Sequence, residues 1–211
     1  MTPERKKKFE EVAARRQPGL TVILENVTDQ HNIGAVLRSC DSVGISHIYI
    51  LNTEPHLATD TIIIGKKTSS GARKWVDVLY FTDAGCCFEH VRQHCRFVYS
   101  TNLGEDSTDL FDLDLTQPVA LLFGNEHSGL SKETLVHSDG NFIIPQVGMV
   151  RSLNISVACA VSLYEAYRQR RLKGFYDQSH MTETAHDTLL KQYFERHKTK
   201  GRSRKTIRKQ K

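Results

Sequence analysis

Asn32, Arg38, Glu126, Ser152 and Asn154 place two carboxamides, a guanidinium, a carboxylate and a hydroxyl in three short glycine-containing blocks of this chain. The first block is His31-Asn32-Ile33-Gly34-Ala35-Val36-Leu37-Arg38, the second Phe123-Gly124-Asn125-Glu126-His127-Ser128-Gly129-Leu130-Ser131, the third Ile144-Pro145-Gln146-Val147-Gly148-Met149-Val150-Arg151-Ser152-Leu153-Asn154-Ile155-Ser156. Asn32 can cap a helix or turn its amide to a ligand. The planar fork of Arg38 suits a phosphate or a carboxylate, and it can equally pair with Glu126 or Asp41. Gly124 marks a close backbone approach directly before Glu126. In the third block Ser152 reads as an N-cap, and the exposed amides of the helix that follows offer hydrogen bonds to an adenine ring or a carboxylate. The chain has no G-x-G-x-x-G and no G-x-x-x-x-G-K-[ST], so the familiar dinucleotide and phosphate-loop devices are excluded. Cys40, Cys86, Cys87, Cys95 and Cys159 form no C-x-x-C pair, which points to neither a disulfide framework nor a zinc site.

The elements that must position these blocks alternate. A helix opening at Thr2-Pro3 presents Phe9, Val12 and Ala13 on one face and ends at Pro18-Gly19. A buried strand is expected at Leu20 to Glu25, then a helix from Ile33 to Val43 and a strand from Ile45 to Leu51. Asn52 to Lys74 reads as one short helix with loops. Strands at Val76 to Phe81, Arg96 to Ser100, Val119 to Phe123 and Asn141 to Ile144 follow, with helices at Ala84 to His94, from Ser131, and from Leu153 to Leu172. Such alternation implies an α/β fold, a parallel sheet flanked by helices on both faces. Each block then follows a strand, where open parallel sheets bind ligands. A last amphipathic stripe, Ala185, Leu189, Leu190, Tyr193 and Phe194, packs on its own subunit or a partner.

The 211 residues suit one domain with extensions, and 39% apolar against 25% charged residues is the balance of a globular protein. No apolar run approaches the roughly 20 residues of a membrane span, and Glu4 to Arg16 lacks the apolar stretch of a signal peptide, so no membrane association and a cytoplasmic location are expected. The net charge is +5, yet the segment from Lys198 onward holds eight basic residues and no acidic one, leaving −3 for the rest. That tail reads as a disordered arm that adheres to polyanions or aids solubility.

In this order and spacing the three blocks resemble the signature motifs of the SPOUT methyltransferase superfamily in its 2'-O-ribose branch, over roughly Leu20 to Gln169. A finer likeness, carried by Ala14-Arg15-Arg16-Gln17-Pro18-Gly19-Leu20-Thr21-Val22, His31-Asn32 and Ser100-Thr101-Asn102-Leu103, is to the TrmH/SpoU type, which acts on guanosine 18 in the D-loop of tRNA. The resemblance implies a SPOUT fold with a C-terminal deep trefoil knot, a homodimer, a tRNA substrate, and S-adenosylmethionine as methyl donor without a metal. Carried onto this chain, the cofactor would be held at Thr101, Leu103, Gly124, Ile144, Met149, Ser152 and Leu153, mainly through the backbone. Arg38 would be catalytic, with Asn32, Glu126, Ser152 and Asn154 as its polar neighbours. From the position of charge, RNA would be gripped by Arg5, Arg15, Arg16, Arg168, Arg170 and Arg171. The expected organisation is an N-terminal basic helix (1–19), the methyltransferase domain (20–173), a helical extension (174–197) and the basic tail (198–211). With nineteen residues before the first strand, no added N-terminal RNA-binding domain is expected. Alternatives are a sibling enzyme acting on ribosomal RNA or another tRNA position, and a non-catalytic RNA-binding scaffold.

Overall fold

The computed structural model describes residues 1–102, 104, 106–198 and 204–210. Helix α1 (Pro3–Ala14) starts as its sequence dictates, with Thr2 Oγ1 accepting from the Arg5 amide at 3.3 Å and proline in the first turn. Then come β1 (Leu20–Glu25), α2 (Gln30–Ser42), β2 (His47–Leu51), β3 (Thr61–Gly65), the single turn α3 (Lys66–Ser69), β4 (Asp77–Phe81) and α4 (Ala84–Arg92). The second half holds β5 (Phe97–Thr101), the two-residue β6 (Thr108–Asp109), β7 (Val119–Phe123), α5 (Lys132–Leu135), β8 (Gly140–Ile143), α6 (Ile155–Leu172), α7 (Glu183–Lys198) and β9 (Arg204–Arg208).

Seven strands form one sheet in the order β4-β2-β1-β7-β5-β8-β6, each neighbouring pair parallel. The expected parallel sheet flanked by helices is therefore what the chain forms. Its two faces make two cores. Val22, Leu24, Leu121 and Phe123 pack with Val36, Leu37 and Cys40 of α2 and Cys159, Leu163 and Ala166 of α6. The alternate residues Ile23, Ala120 and Leu122 pack with Cys87, Phe88 and Val91 of α4. Every residue of β1 and β7 is buried, the continuous apolar pattern of a doubly covered strand. Phe9 and Ala13 of α1 meet Leu189 and Tyr193 of α7 in a third cluster, so the last amphipathic stripe packs on its own chain.

Four expectations are corrected. Asp29, not Asn32, caps α2: its Oδ1 accepts from the His31 amide at 2.8 Å, which leaves the Asn32 amide for other work. Asn154, not Ser152, caps α6, accepting from the Ser156 amide at 2.9 Å. Ile62-Ile63-Ile64 belongs to a strand, because β3 finds a pairing partner far away in sequence. That partner is β9, which takes Arg204 to Arg208 of the expected disordered arm into an antiparallel pair, Ile62 opposite Ile207 and Ile64 opposite Lys205. Ile207, 8% exposed, joins the main core and gives the basic segment its anchor. Among the described residues no helix is long and apolar enough to cross a membrane.

Candidate active site

Because the strands are parallel, the C-terminal ends of β1, β7, β5 and β8 open on one edge, and all three blocks leave the sheet there. The end of β1 fixes the first two blocks to each other. Glu25 is fully buried, and its carboxylate accepts from the Ser131 amide (3.0 Å) and from the hydroxyls of Ser131 (2.6 Å) and Thr134 (2.5 Å). Asn26 takes a positive φ of 53°, and its carbonyl accepts from Asn125 Nδ2 at 2.8 Å. Asn125 Oδ1 in turn accepts from the amides of His127 (2.8 Å) and Ser128 (3.2 Å), an asparagine-nucleated turn.

Gly124 and Gly129 are each required for this turn. The backbones of Asn125 and Gly129 exchange two hydrogen bonds, 3.0 and 2.9 Å, with Gly129 at φ +69°. A Cβ on Gly124 would lie 2.4 Å from the Gly129 carbonyl carbon and 2.6 Å from the Leu130 nitrogen. The turn presents Glu126 to the first block, where Asn32 Nδ2 donates to Glu126 Oε1. Asn154 Nδ2 donates to Asn32 Oδ1 at 3.2 Å while its own Oδ1 caps α6. A single hydrogen-bonded row, Asn154 to Asn32 to Glu126, thus joins all three blocks. Gly34 keeps α2 in place: a Cβ there would meet the Thr68 carbonyl carbon of α3 at 2.6 Å.

Beside the row lies a cavity of about 410 Å³, lined by residues that include Thr101, Asn102, Phe123, Gly124, Phe142, Ile144, Gln146, Arg151, Ser152, Leu153 and Ala158. Its floor is apolar and its rim polar, at a size within the usual range for small-ligand sites. Of the expected cofactor positions, Thr101, Gly124, Ile144, Ser152 and Leu153 line it. Met149 is fully exposed on the third block and lies outside the lining, and Leu103 falls outside the described residues. A carboxylate and two carboxamides at the mouth of such a cavity can orient a hydroxyl and accept its hydrogen bond.

Arg38 stands apart, six residues along α2 from Asn32, about 9 Å of helix rise. It is exposed and makes no hydrogen bond or ion pair to another described residue. Neither of its alternative partners is taken up: Glu126 accepts from Asn32, and Asp41 pairs with Arg16 Nη2 at 2.8 Å.

The expected RNA-binding arginines divide by burial. Arg5, Arg15, Arg168 and Arg171 are exposed, Arg168 paired with Glu165 at 2.7 Å. Arg16 and Arg170, 1% and 2% exposed, are structural and cannot meet RNA in this fold. Arg16 donates to the Tyr193 hydroxyl (2.7 Å) and the Ile45 carbonyl (2.8 Å), locking α1 and α7 to the sheet. Arg170 donates to the carbonyls of Leu115, Gly19 and Gln117 at 2.8 to 2.9 Å, and burial lowers its pKa to about 10. Sequence reasoning missed Glu25 and Asn125; the signal for Glu25 was a lone acid ending an otherwise buried strand.

Residues 19–164 match the SpoU rRNA Methylase family. A tRNA (guanosine(18)-2'-O)-methyltransferase of Thermus thermophilus is 42% identical over 189 residues, 90% of this chain and 95% of that protein. Among solved structures, the Aquifex aeolicus TrmH/SpoU tRNA modifying enzyme superposes with a TM-score of 0.82 at 32% identity, covering 93% of this chain and 98% of that one. The SpoU methyltransferase AviRb of Streptomyces viridochromogenes, solved with the cofactor AdoMet, gives 0.62 at 27% identity over 75% of this chain and 59% of that one. With the family's match spanning the sheet, the cavity and the whole of the Asn154–Asn32–Glu126 row, this chain belongs to the SpoU methylase family.

Proposed function

We propose that the chain transfers the methyl group of S-adenosylmethionine to the ribose 2'-oxygen of guanosine 18 in the D-loop of tRNA. The observation that carries this reading is the row Asn154–Asn32–Glu126 at the rim of the cavity, in a chain most of whose length aligns with an enzyme named for that reaction. The cavity fits the donor: Phe123, Phe142 and Ala158 give an apolar bed, and the strand-end backbone at Thr101, Gly124, Ile144 and Leu153 supplies polar contacts. When bound there, S-adenosylmethionine supplies a methyl carbon made electrophilic by its sulfonium.

The chain's own residues do the rest. The carboxamides of Asn32 and Asn154 hold Glu126 and the incoming ribose in one orientation, so much of the acceleration comes from positioning. Glu126 Oε1 is committed to Asn32, and Oε2, bonded to no other described residue, accepts the hydrogen bond of the 2'-hydroxyl. The 2'-oxygen would gain the methyl carbon as the carbon–sulfur bond breaks with its electron pair left on sulfur, giving a neutral thioether, and the hydroxyl proton would pass along its hydrogen bond to Glu126 Oε2 and on to solvent. Arg38 acts as a cation: its planar fork holds the adjacent phosphate and steadies the negative charge that develops on oxygen.

The finer features follow from the same likeness. The third block and α6 are proposed to close a deep trefoil knot behind β8, supported by the position of β5 between β7 and β8. A second copy is proposed to pack on the outer face of α6, where Val157 and Tyr164 are 47% and 53% exposed. Arg38 lies one turn before Ser42, which Tyr164 reaches at 3.4 Å, so this packing sets Arg38 at the subunit junction. Such a protein works in the cytoplasm on tRNA. The intact row argues against a non-catalytic scaffold.

The test is transfer of radiolabelled methyl to total RNA followed by nucleoside mapping. Label in 2'-O-methylguanosine at position 18 of tRNA is expected; label in ribosomal RNA alone, or binding without label, would overturn the proposal.

A further inference from the structure

Within the basic C-terminal segment Arg204–Arg208 form a built strand, and its two faces differ. Inward, Ile207 opposes Ile62 in the core, and Lys205 Nζ lies 3.5 Å from Asp77 and 3.4 Å from the Arg73 carbonyl. Outward, Thr206 and Arg208 are exposed opposite Ile63, which is 42% exposed, and Thr61. The strand then continues onto the edge of the main sheet: the Lys209 amide donates to the Asp60 carbonyl (2.9 Å) and the Gln210 amide to the Tyr80 carbonyl (2.8 Å).

Two geometric facts give that outward face a direction. Tyr80 lies near the C-terminal end of β4, so Lys209 and Gln210 reach the β4 flank of the sheet at the level of the strand ends, with β2 and β1 between them and the cavity-lining strands. Meanwhile β3, the partner of β9, runs directly into α3, which abuts Gly34 one half-turn from Asn32 on α2. The charges are also unequal in their neutralisation. Asp77 answers Lys205 and Arg196, whereas Arg208 has no partner among the described residues and Lys209 has only the loose contact with Asp60 at 3.9 Å. Charge of either sign would protect a sheet edge from pairing, but two adjacent exposed cations, one loosely paired and one without a partner among the described residues, at the level of the strand ends match a polyphosphate.

We propose that the end of β9 is a phosphate rail: its exposed cations, Arg208 on the outward face and Lys209 where the strand leaves β3 for β4, contact the tRNA backbone flanking the nucleotide delivered to the cavity. The rail rests on the proposed RNA substrate, and its contribution is independent of sequence, setting affinity and leaving the chemical step to the other edge of α2.

The experiment uses the full-length protein and purified tRNA, measuring the tRNA KM between 50 and 200 mM salt, about the range in which phosphate contacts are screened. Arg208→Gln with Lys209→Gln keeps the Ile207 and Lys205 anchors. This double variant is expected to flatten the slope of log KM against log salt by about 2, with kcat and the KM for S-adenosylmethionine unchanged. Thr206→Arg, on the same outward face, is expected to steepen it by about 1. An unchanged slope in both variants would overturn the rail, as would an unchanged slope in the double variant alone. Mapping the methylated nucleotide on the wild-type protein separates the two readings: methyl at another position overturns the guanosine-18 assignment and leaves the salt slopes to judge the rail.

Discussion

Replacing Gly124 by alanine tests the link between fold and site in one atom group. The added Cβ would sit 2.4 Å from the Gly129 carbonyl carbon, 2.5 Å from its oxygen and 2.6 Å from the Leu130 nitrogen. All three are backbone atoms of a turn closed by two hydrogen bonds, so no side chain can swing aside. Overpacking of this kind costs about 1–3 kcal/mol, and prising the turn open forfeits two backbone bonds at about 1 kcal/mol each. The sum, about 3–5 kcal/mol, is a large part of the 5–15 kcal/mol that typically holds a domain together. For a chain of this size a loss of 1 kcal/mol lowers the melting point by about 2–4 °C, so a drop of roughly 6–20 °C is expected. Activity should fall further than stability alone explains, because the same turn carries Glu126. Gly148→Ala is the control, since a Cβ there meets nothing within 4 Å. Thermal melts and kcat/KM of both variants decide the matter. A Gly124→Ala protein that melts with the wild type and keeps its activity would refute the argument.

Other perturbations separate chemistry from architecture. Asn32→Ala and Asn154→Ala each break the polar row at exposed or half-exposed positions, so kcat should fall by about 10² or more; the melting point should change little for Asn32→Ala and fall by about 2–4 °C for Asn154→Ala, which also removes the α6 cap, worth about 1 kcal/mol. Arg38→Lys keeps a cation and loses the planar fork; most of the activity should disappear, and near-normal turnover would sink the need for a guanidinium. Arg16→Met should lower stability by about 3 kcal/mol, because Tyr193 and Ile45 lose a buried donor and Asp41 its partner, while the salt dependence of RNA binding stays as it was. His47 should make the protein acid-sensitive. Burial, then the neighbouring His94 and His90, lower its pKa to about 4 from 6.5, against the opposing pull of Asp77. Between those values the unfolded chain binds a proton that the folded one refuses, so stability is full above pH 6.5 and declines as pH falls toward 4. The loss approaches about 3 kcal/mol, and a His47→Gln protein should show a flatter denaturation midpoint across that window.

The core strands were legible because a parallel sheet buries both faces and so spells its strands as unbroken apolar runs; Leu20 to Glu25 and Val119 to Phe123 fall where expected. The three site blocks were legible for the opposite reason, as polar and glycine-containing interruptions at strand ends. Helix starts were less so, since Asp29, Asn32, Ser152 and Asn154 are all competent caps and only the tertiary contacts choose among them. The β3–β9 pair was hidden because its strands are more than 130 residues apart and one of them is basic, with Ile207 its single deeply buried anchor. Burial of Arg16 and Arg170 was hidden too: a guanidinium reads as solvent-facing until the carbonyls that receive it are assembled from distant loops.

The central claim concerns one oxygen atom, and it can be tested by removing that atom. A tRNA carrying 2'-deoxyguanosine at position 18 should bind the enzyme with normal affinity and accept no methyl group, while the all-ribose tRNA is methylated to completion. Undiminished methyl incorporation into the deoxy-substituted tRNA would contradict the account.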